Sequence, residues 1–154
     1  MANIISRADV SHSHEVALLF NEYRQFYGYK DDVPAAEQFI RARLQDASSV
    51  VFIARSPEGM GLGFVQLYPS YSSLRLAPIF ILNDVFVTQH ARCVGIGRGL
   101  VQQATEYAKA QGARALVLET QKDNVRAQGL YEALGFVRDQ KFLTYELEIH
   151  SLLK

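Results

Sequence analysis

The chain has 154 residues, 49% of them hydrophobic and 21% charged, which is material for one domain with a sizeable core and too apolar for a disordered tail. Sixteen Lys and Arg balance sixteen Asp and Glu, which argues against a globally basic nucleic-acid binder. Cys93 is the single cysteine, so an internal disulfide is excluded and a Cys/His metal cluster lacks ligands.

The longest apolar run, residues 76–82, is too short to span a bilayer, and residues 1–7 lack the apolar segment of a signal peptide. The expectation is a soluble cytoplasmic protein, one domain over residues 1–154, with no metal and no nucleic-acid or membrane partner. Ile4 and Ile5 suggest a short first strand. Residues 11–27 place Val16, Leu19, Phe20, Tyr23, Phe26 and Tyr27 at helical spacing before Gly28. Pro34 fits the first turn of a second helix carrying Phe39, Ile40 and Leu44. The period then changes: residues 50–55 and 61–68 read as hairpin strands around Ser56-Pro57-Glu58-Gly59. Residues 77–87 form a longer strand, and 95–111 a helix with Leu100, Val101, Ala104, Tyr107 and Ala108 on one side. A short buried strand is expected at 115–118, a helix at 123–134, and a last strand or strands within 136–149. The order implies an α/β fold, a mixed central sheet flanked by helices on both faces.

The most informative stretch joins the 77–87 strand to the helix after it, through Gly95, Gly97 and Gly99. Glycines let the backbone approach a ligand closely. The helix start adds unpaired N–H groups and the positive end of the dipole, and together these suit a phosphate or pyrophosphate. Residues 89–114 carry four basic side chains, Arg92, Arg98, Lys109 and Arg114, against the acidic Glu106, so this region is locally positive. A tight turn with glycines chosen for packing gives the same pattern. A P-loop does not fit, because Leu100 follows Gly99; a Rossmann fingerprint does not fit the G-x-G-x-G spacing.

Arg92-Cys93-Val94-Gly95-Ile96-Gly97 resembles the [Q/R]-x-x-G-x-[G/A] signature of the GNAT superfamily of acetyl-CoA-dependent N-acetyltransferases. The stretch from Asn124 through Leu130-Tyr131 to Gly135-Phe136 is similar to that family's second segment. The resemblance covers roughly residues 50–147, with the family's two N-terminal helices at 11–47. It implies the GNAT fold, acetyl-CoA as cofactor and a homodimer. It also implies that the main chain of Arg92, Cys93, Val94, Gly95, Ile96, Gly97 and Arg98 holds the coenzyme A pyrophosphate. Phe86 and Val87 would pair with the pantetheine arm and polarise the thioester carbonyl. Asn124 would contact the pantetheine end, and Tyr131 would protonate the departing thiolate; a half-buried helix tyrosine is the plain alternative.

The reaction needs a neutral amine, and a carboxylate near the acceptor would take the proton. Asp84 is the first choice and Glu119 a weaker one; Asp84 also reads as a structural carboxylate bonded to nearby backbone. The family branch with diamine acceptors often carries two adjacent acids here, whereas this chain has Asn83 before Asp84. On a regular strand the two side chains face opposite ways unless a bulge intervenes. Cys93 would lie near the pyrophosphate, where oxidation would block the cofactor; it equally reads as a small buried apolar residue. Tyr23, Tyr27, Gln66, Tyr68 and Asn83 are the candidate acceptor-binding residues, although Tyr23, Phe26 and Tyr27 also fit a helix core. With Asp84 they suit a cationic amine and look like the branch of fungal histone, polyamine and D-amino-acid acetyltransferases. His12 and His14 read as solvent-exposed polar residues. The reading is acetyl transfer to a primary amine of a small molecule by direct attack in a ternary complex. The rivals are a non-catalytic acyl-CoA-binding module, a protein lysine or N-terminal acetyltransferase, and a binder of another nucleotide.

Overall fold

The structure is a computed structural model that describes residues 2–150. They fall into two compact units, one up to Leu118 and one from Glu119.

The first unit holds a five-stranded sheet in the order β1-β2-β3-β4-β5. Its elements are β1 (Ile4–Arg7), α1 (Ser13–Phe26), α2 (Val33–Gln45), β2 (Val50–Arg55), β3 (Gly61–Ser72), β4 (Ala77–Val87), α3 (Ile96–Ala110) and β5 (Leu116–Val117). The first four strands run antiparallel, and β5 lies parallel to β4. Local chemistry sets the helix starts. Asp32 accepts from the Ala35 amide at 3.1 Å to cap α2, with Pro34 in the first turn. Before α1, a 3-10 turn (Val10–His12) is capped by Asp9 and His12 reciprocally.

Period-2 alternation assigns the sheet residues to two faces. On one, Val51, Ile53, Phe64 and Phe86 pack with Val16, Leu19 and Phe20 of α1 and Ala36 and Ile40 of α2. On the other, Phe52 and Phe80 meet Tyr107 of α3 edge-on, at 5.7 and 5.6 Å between centroids. This is the mixed sheet with helices on both faces that the residue order implies. Phe64 is fully buried at the centre of the first face. Phe64→Ala should cost about 3–5 kcal/mol and lower Tm by roughly 10 °C for a chain of this size, read by calorimetric melting. A Tm within about 2 °C of the parent would contradict its placement.

Two expectations are corrected. β5 is shorter than 115–118 and is not buried: Leu116 is half-exposed and Val117 exposed. A two-residue parallel pairing with Phe80 and Ile81 at the sheet edge explains both. The second unit has one helix, α4 (Val125–Ala133), capped by Asn124. No strand forms at 136–149 among the described residues. Phe142, Leu143, Tyr145, Leu147 and Ile149 are exposed. The carboxylate of Asp139 takes the amides of Lys141 and Phe142 at 2.8 and 3.2 Å, which turns the chain locally. A strand needs a paired neighbour as well as alternating side chains, and no described strand pairs with this stretch, whose Phe136 amide closes the end of α4 on the Tyr131 carbonyl. No helix among the described residues is long and apolar enough to cross a membrane.

Candidate active site

β3 and β4 supply the floor of the site. Their register shifts at one point: Gln66 pairs with Asp84, but Leu67 pairs with Leu82. Asn83 is therefore the extra residue of a β-bulge. The bulge lets Asp84 share a face with Phe86, Gln66 and Phe64 while Leu82 stays on the α3 side, resolving the parity question left by the sequence.

Asp84 is only 2% exposed and Gln66 fully buried. Gln66 Nε2 donates to Asp84 Oδ2 at 2.5 Å, and Asn83 Nδ2 donates to Oδ1 at 2.8 Å. These are side-chain donors, so Asp84 is not held by nearby backbone as its structural reading supposed. No Lys, Arg or His pairs with it among the described residues. Burial pushes its carboxyl above the ordinary value, against the hydrogen bonds from Gln66, Asn83 and Tyr23.

Three tyrosines sense this carboxylate. Burial first, and the Asp84 charge second, raise the hydroxyls of Tyr23 and Tyr27 above the usual phenol range. Tyr68 is pushed up to about 12 by the same two causes, with Arg43 of α2 opposing them. Tyr23 Oη donates to the Asn83 carbonyl at 3.4 Å. Its ring stands edge-on to Tyr27, Phe64 and Phe86, with centroids 5.1, 5.9 and 6.2 Å away. Tyr23, Tyr27, Gln66, Tyr68, Asn83, Asp84 and Phe86 thus gather on one side of the sheet. Tyr23 is both core packing and site wall, while Phe26 is 56% exposed and not core. Phe64, which carries the Tyr23 ring, was not singled out. Its signal was the alternation Phe64, Gln66, Tyr68 along one strand.

Beyond Val87 the chain passes through a 3-10 turn (Gln89–Ala91) into an exposed stretch, Arg92, Cys93, Val94 and Gly95, and then α3. Gly95 is left-handed, φ +87°, and a Cβ there would meet nothing within 4 Å; one on Gly97 would meet only Val87, at 3.8 Å. No side chain caps α3. Its first backbone bond runs from the Gly99 amide to the Gly95 carbonyl at 3.0 Å, which leaves the usual first-turn amides for a ligand. Open glycine positions, an uncapped helix start and Arg92 and Arg98 beside them fit a pyrophosphate. The third glycine has a different cause: a Cβ on Gly99 would come within 3.0 Å of Ile5, so it serves packing. Cys93 is exposed, with φ +68°. Its reading as a small buried residue is therefore wrong, because the stretch runs along the surface.

β4 also carries an open edge. β5 pairs with it only at Phe80 and Ile81, so beyond Ile81 no described strand covers that side. An extended ligand arm fits such an edge by strand addition. The Val87 carbonyl accepts from Arg92 Nε at 2.9 Å. The Arg92 guanidinium lies over the rings of Phe26 and Phe86, 5.4 and 5.5 Å from their centroids.

In the second unit, Asn124 Oδ1 accepts from the Ala127 amide at 3.2 Å, so Asn124 caps α4. Tyr131 is half-buried, with its ring edge-on to Phe136 at 5.7 Å. Glu119 is exposed.

Comparison with known proteins agrees with these features. The chain matches the acetyltransferase (GNAT) family over residues 16–136. It is 43% identical over 145 residues to an uncharacterised N-acetyltransferase of Bacillus subtilis, YhfO, covering 94% of this chain and 97% of that protein. The D-amino-acid N-acetyltransferase HPA3 of Saccharomyces cerevisiae is 30% identical over 82 residues, 53% of this chain and 51% of the yeast protein. A crystal structure of a probable acetyltransferase superposes with a TM-score of 0.91 at 38% identity, covering 96% of this chain and 99% of that one. With its sheet, its glycine turn and these relatives in agreement, the chain belongs to the GNAT family and is an acetyl-transferring enzyme.

Proposed function

We propose that this enzyme acetylates a primary amine of a small molecule, using acetyl-CoA, by direct attack of the amine in a ternary complex. The observation that carries the reading is Asp84: a buried carboxylate without a cationic partner among the described residues, beside Tyr23, Tyr27 and Tyr68. A cationic amine supplies the missing charge, and the aromatic faces add cation–π attraction. An alkylammonium of pKa near 10.4 is almost wholly protonated at neutral pH, so Asp84 has two tasks, attracting the cation and taking its proton. Asn83, Tyr23, Tyr27 and Tyr68 line the acceptor side.

Acetyl-CoA, when bound, supplies the activated acetyl group as a thioester. We assign its pyrophosphate to the main chain from Arg92 to Arg98, and its extended arm to the open edge at Phe86 and Val87. There an N–H is the donor for the carbonyl oxygen as charge develops. In the second unit, Tyr131 is the proton donor and Asn124 a cofactor contact. Tyr131→Phe should lower kcat by about 10–100-fold while leaving acetyl-CoA Kd within about twofold, measured by thiol release and calorimetry. Unchanged kcat removes Tyr131 from that role.

The branch placement beside fungal histone, polyamine and D-amino-acid acetyltransferases belongs to the same proposal, supported by the partial likeness to the yeast enzyme. The family resemblance supports a homodimer, and the proposal includes a cytoplasmic location on the sequence grounds given above; light scattering on the purified protein tests the first. The deciding assay is acetyl-CoA-dependent thiol release over diamines, amino acids of both hands, aminoglycosides and lysine peptides. Turnover with a small amine supports the reading. Turnover with peptides alone makes the protein acceptor correct, and cofactor binding without turnover makes the chain a binding module.

A further inference from the structure

We propose that Gln66 is a positioning residue whose side-chain amide holds the Asp84 carboxylate in place as the proton acceptor of the reaction. The inference rests on the reading of Asp84 given above and adds a second residue to it. Gln66 and Asp84 lie directly opposite each other on β3 and β4, next to the bulge. Asp84 Oδ2 accepts from Gln66 and Oδ1 from Asn83, with the Tyr23 hydroxyl as a further, weaker donor. The two amide donors differ in setting: Asn83 is exposed, whereas Gln66 is fully buried.

The other end of the Gln66 amide carries the second observation. Its Oε1 is buried with no hydrogen-bond partner among the described residues. A buried acceptor left unpaired is unfavourable, and an apolar side chain of the same length would fill the space without that penalty. Turning the amide over would set Oε1 against the carboxylate, which is worse. The side chain is therefore explained by what Nε2 does for Asp84.

The surroundings give this bond its leverage. From α1, Tyr23 and Tyr27 face the carboxylate; from β3, Tyr68 does. Arg43 of α2 acts on Tyr68 and forms its ion pair with Asp46. Neutral donors alone thus offset burial at Asp84. Donors to an ionised carboxylate favour the ionised form, so losing the buried one moves Asp84 toward its protonated form, which cannot accept a proton.

The test is Gln66→Met, which keeps length and volume and removes the donor, with Gln66→Leu as a second packing variant. Asp carboxyl carbons labelled with 13C are titrated by NMR in the free protein, with the Asp84 signal identified by its loss in Asp84→Asn. The Asp84 midpoint should rise by about one pH unit in Gln66→Met, the size expected for a hydrogen bond to a charged group, while the other aspartates keep theirs. With the best amine from the thiol-release screen, the acidic limb of kcat/KM should move up by the same amount at unchanged acetyl-CoA Kd. An Asp84 midpoint within about 0.2 units of the parent overturns the role of Gln66. Should both variants fail to fold, Gln66→Met combined with Asp84→Asn should fold, because the stranded charge is gone; its failure also overturns the proposal. Full turnover by Asp84→Asn alone would remove Asp84 as the base, a separate outcome from an unmoved midpoint.

Discussion

Gly95→Asp should abolish acetyl-CoA binding, with Kd rising at least about 100-fold, equivalent to roughly 2.7 kcal/mol. Two effects add. Gly95 holds φ +87° immediately before α3, a conformation that costs an L-residue about 1–2 kcal/mol. The new carboxylate would also sit on the helix start where the pyrophosphate is proposed to lie, taking its amides and opposing its charge. Asp is a favourable residue before a helix, which offsets part of the strain, so Tm should change by only a few degrees. Gly95→Ala separates the contributions: it carries the strain without the charge and should weaken binding by about tenfold or less. Equal losses in the two variants would mean that backbone shape, and not an anion site, is what the glycine provides. Gly97→Asp should also lose binding, since Gly97 sits in the same uncapped first turn.

Asp84→Asn should lower kcat/KM at neutral pH by roughly 10²–10³-fold, the range for loss of a positioned base. Its effect on stability should have the opposite sign. Burial raises the carboxyl of Asp84 above its ordinary value, so the folded protein favours the protonated form more than the unfolded chain does. Below the unfolded value both states are protonated and no penalty arises. As pH rises through the folded value, the native carboxylate ionises in a buried place and stability is lost. The asparagine variant has no such charge, so its Tm advantage should widen as pH rises from below the ordinary aspartate value through the raised one, and then level off. Melting curves across that range, set beside thiol-release kinetics, check both signs. A variant that loses activity and stability together at every pH would make Asp84 a scaffold residue.

Much of the fold was legible because its signals are local. β2 and β4 begin and end where their apolar runs do, and Pro34 falls in the first turn of α2 as its position suggests. Tyr23, Tyr27, Gln66, Tyr68 and Asp84 stand out as candidates from aromatic-rich segments and the family resemblance; that they lie on one side of the sheet depends on strand pairing and helix packing, which the sequence alone does not give. The bulge was not legible either. A register shift at Asn83 depends on which β3 residue lies opposite, and that is a property of the pair of strands. The glycine pattern concealed two causes under one spacing, ligand approach at Gly95 and contact with Ile5 at Gly99. The stretch carrying Phe142, Tyr145 and Leu147 reads as a strand, yet no described strand pairs with it. Exposure at Cys93 followed from a surface course of the loop that composition does not encode.

The most direct test is an isothermal titration of the purified protein with acetyl-CoA, run beside ATP at the same ionic strength. A saturable isotherm for acetyl-CoA, lost in Gly95→Asp and absent or far weaker for ATP, is the expected result. No heat from acetyl-CoA up to millimolar concentration, or equal binding of ATP, would contradict the assignment of the turn from Arg92 to Arg98 to coenzyme A.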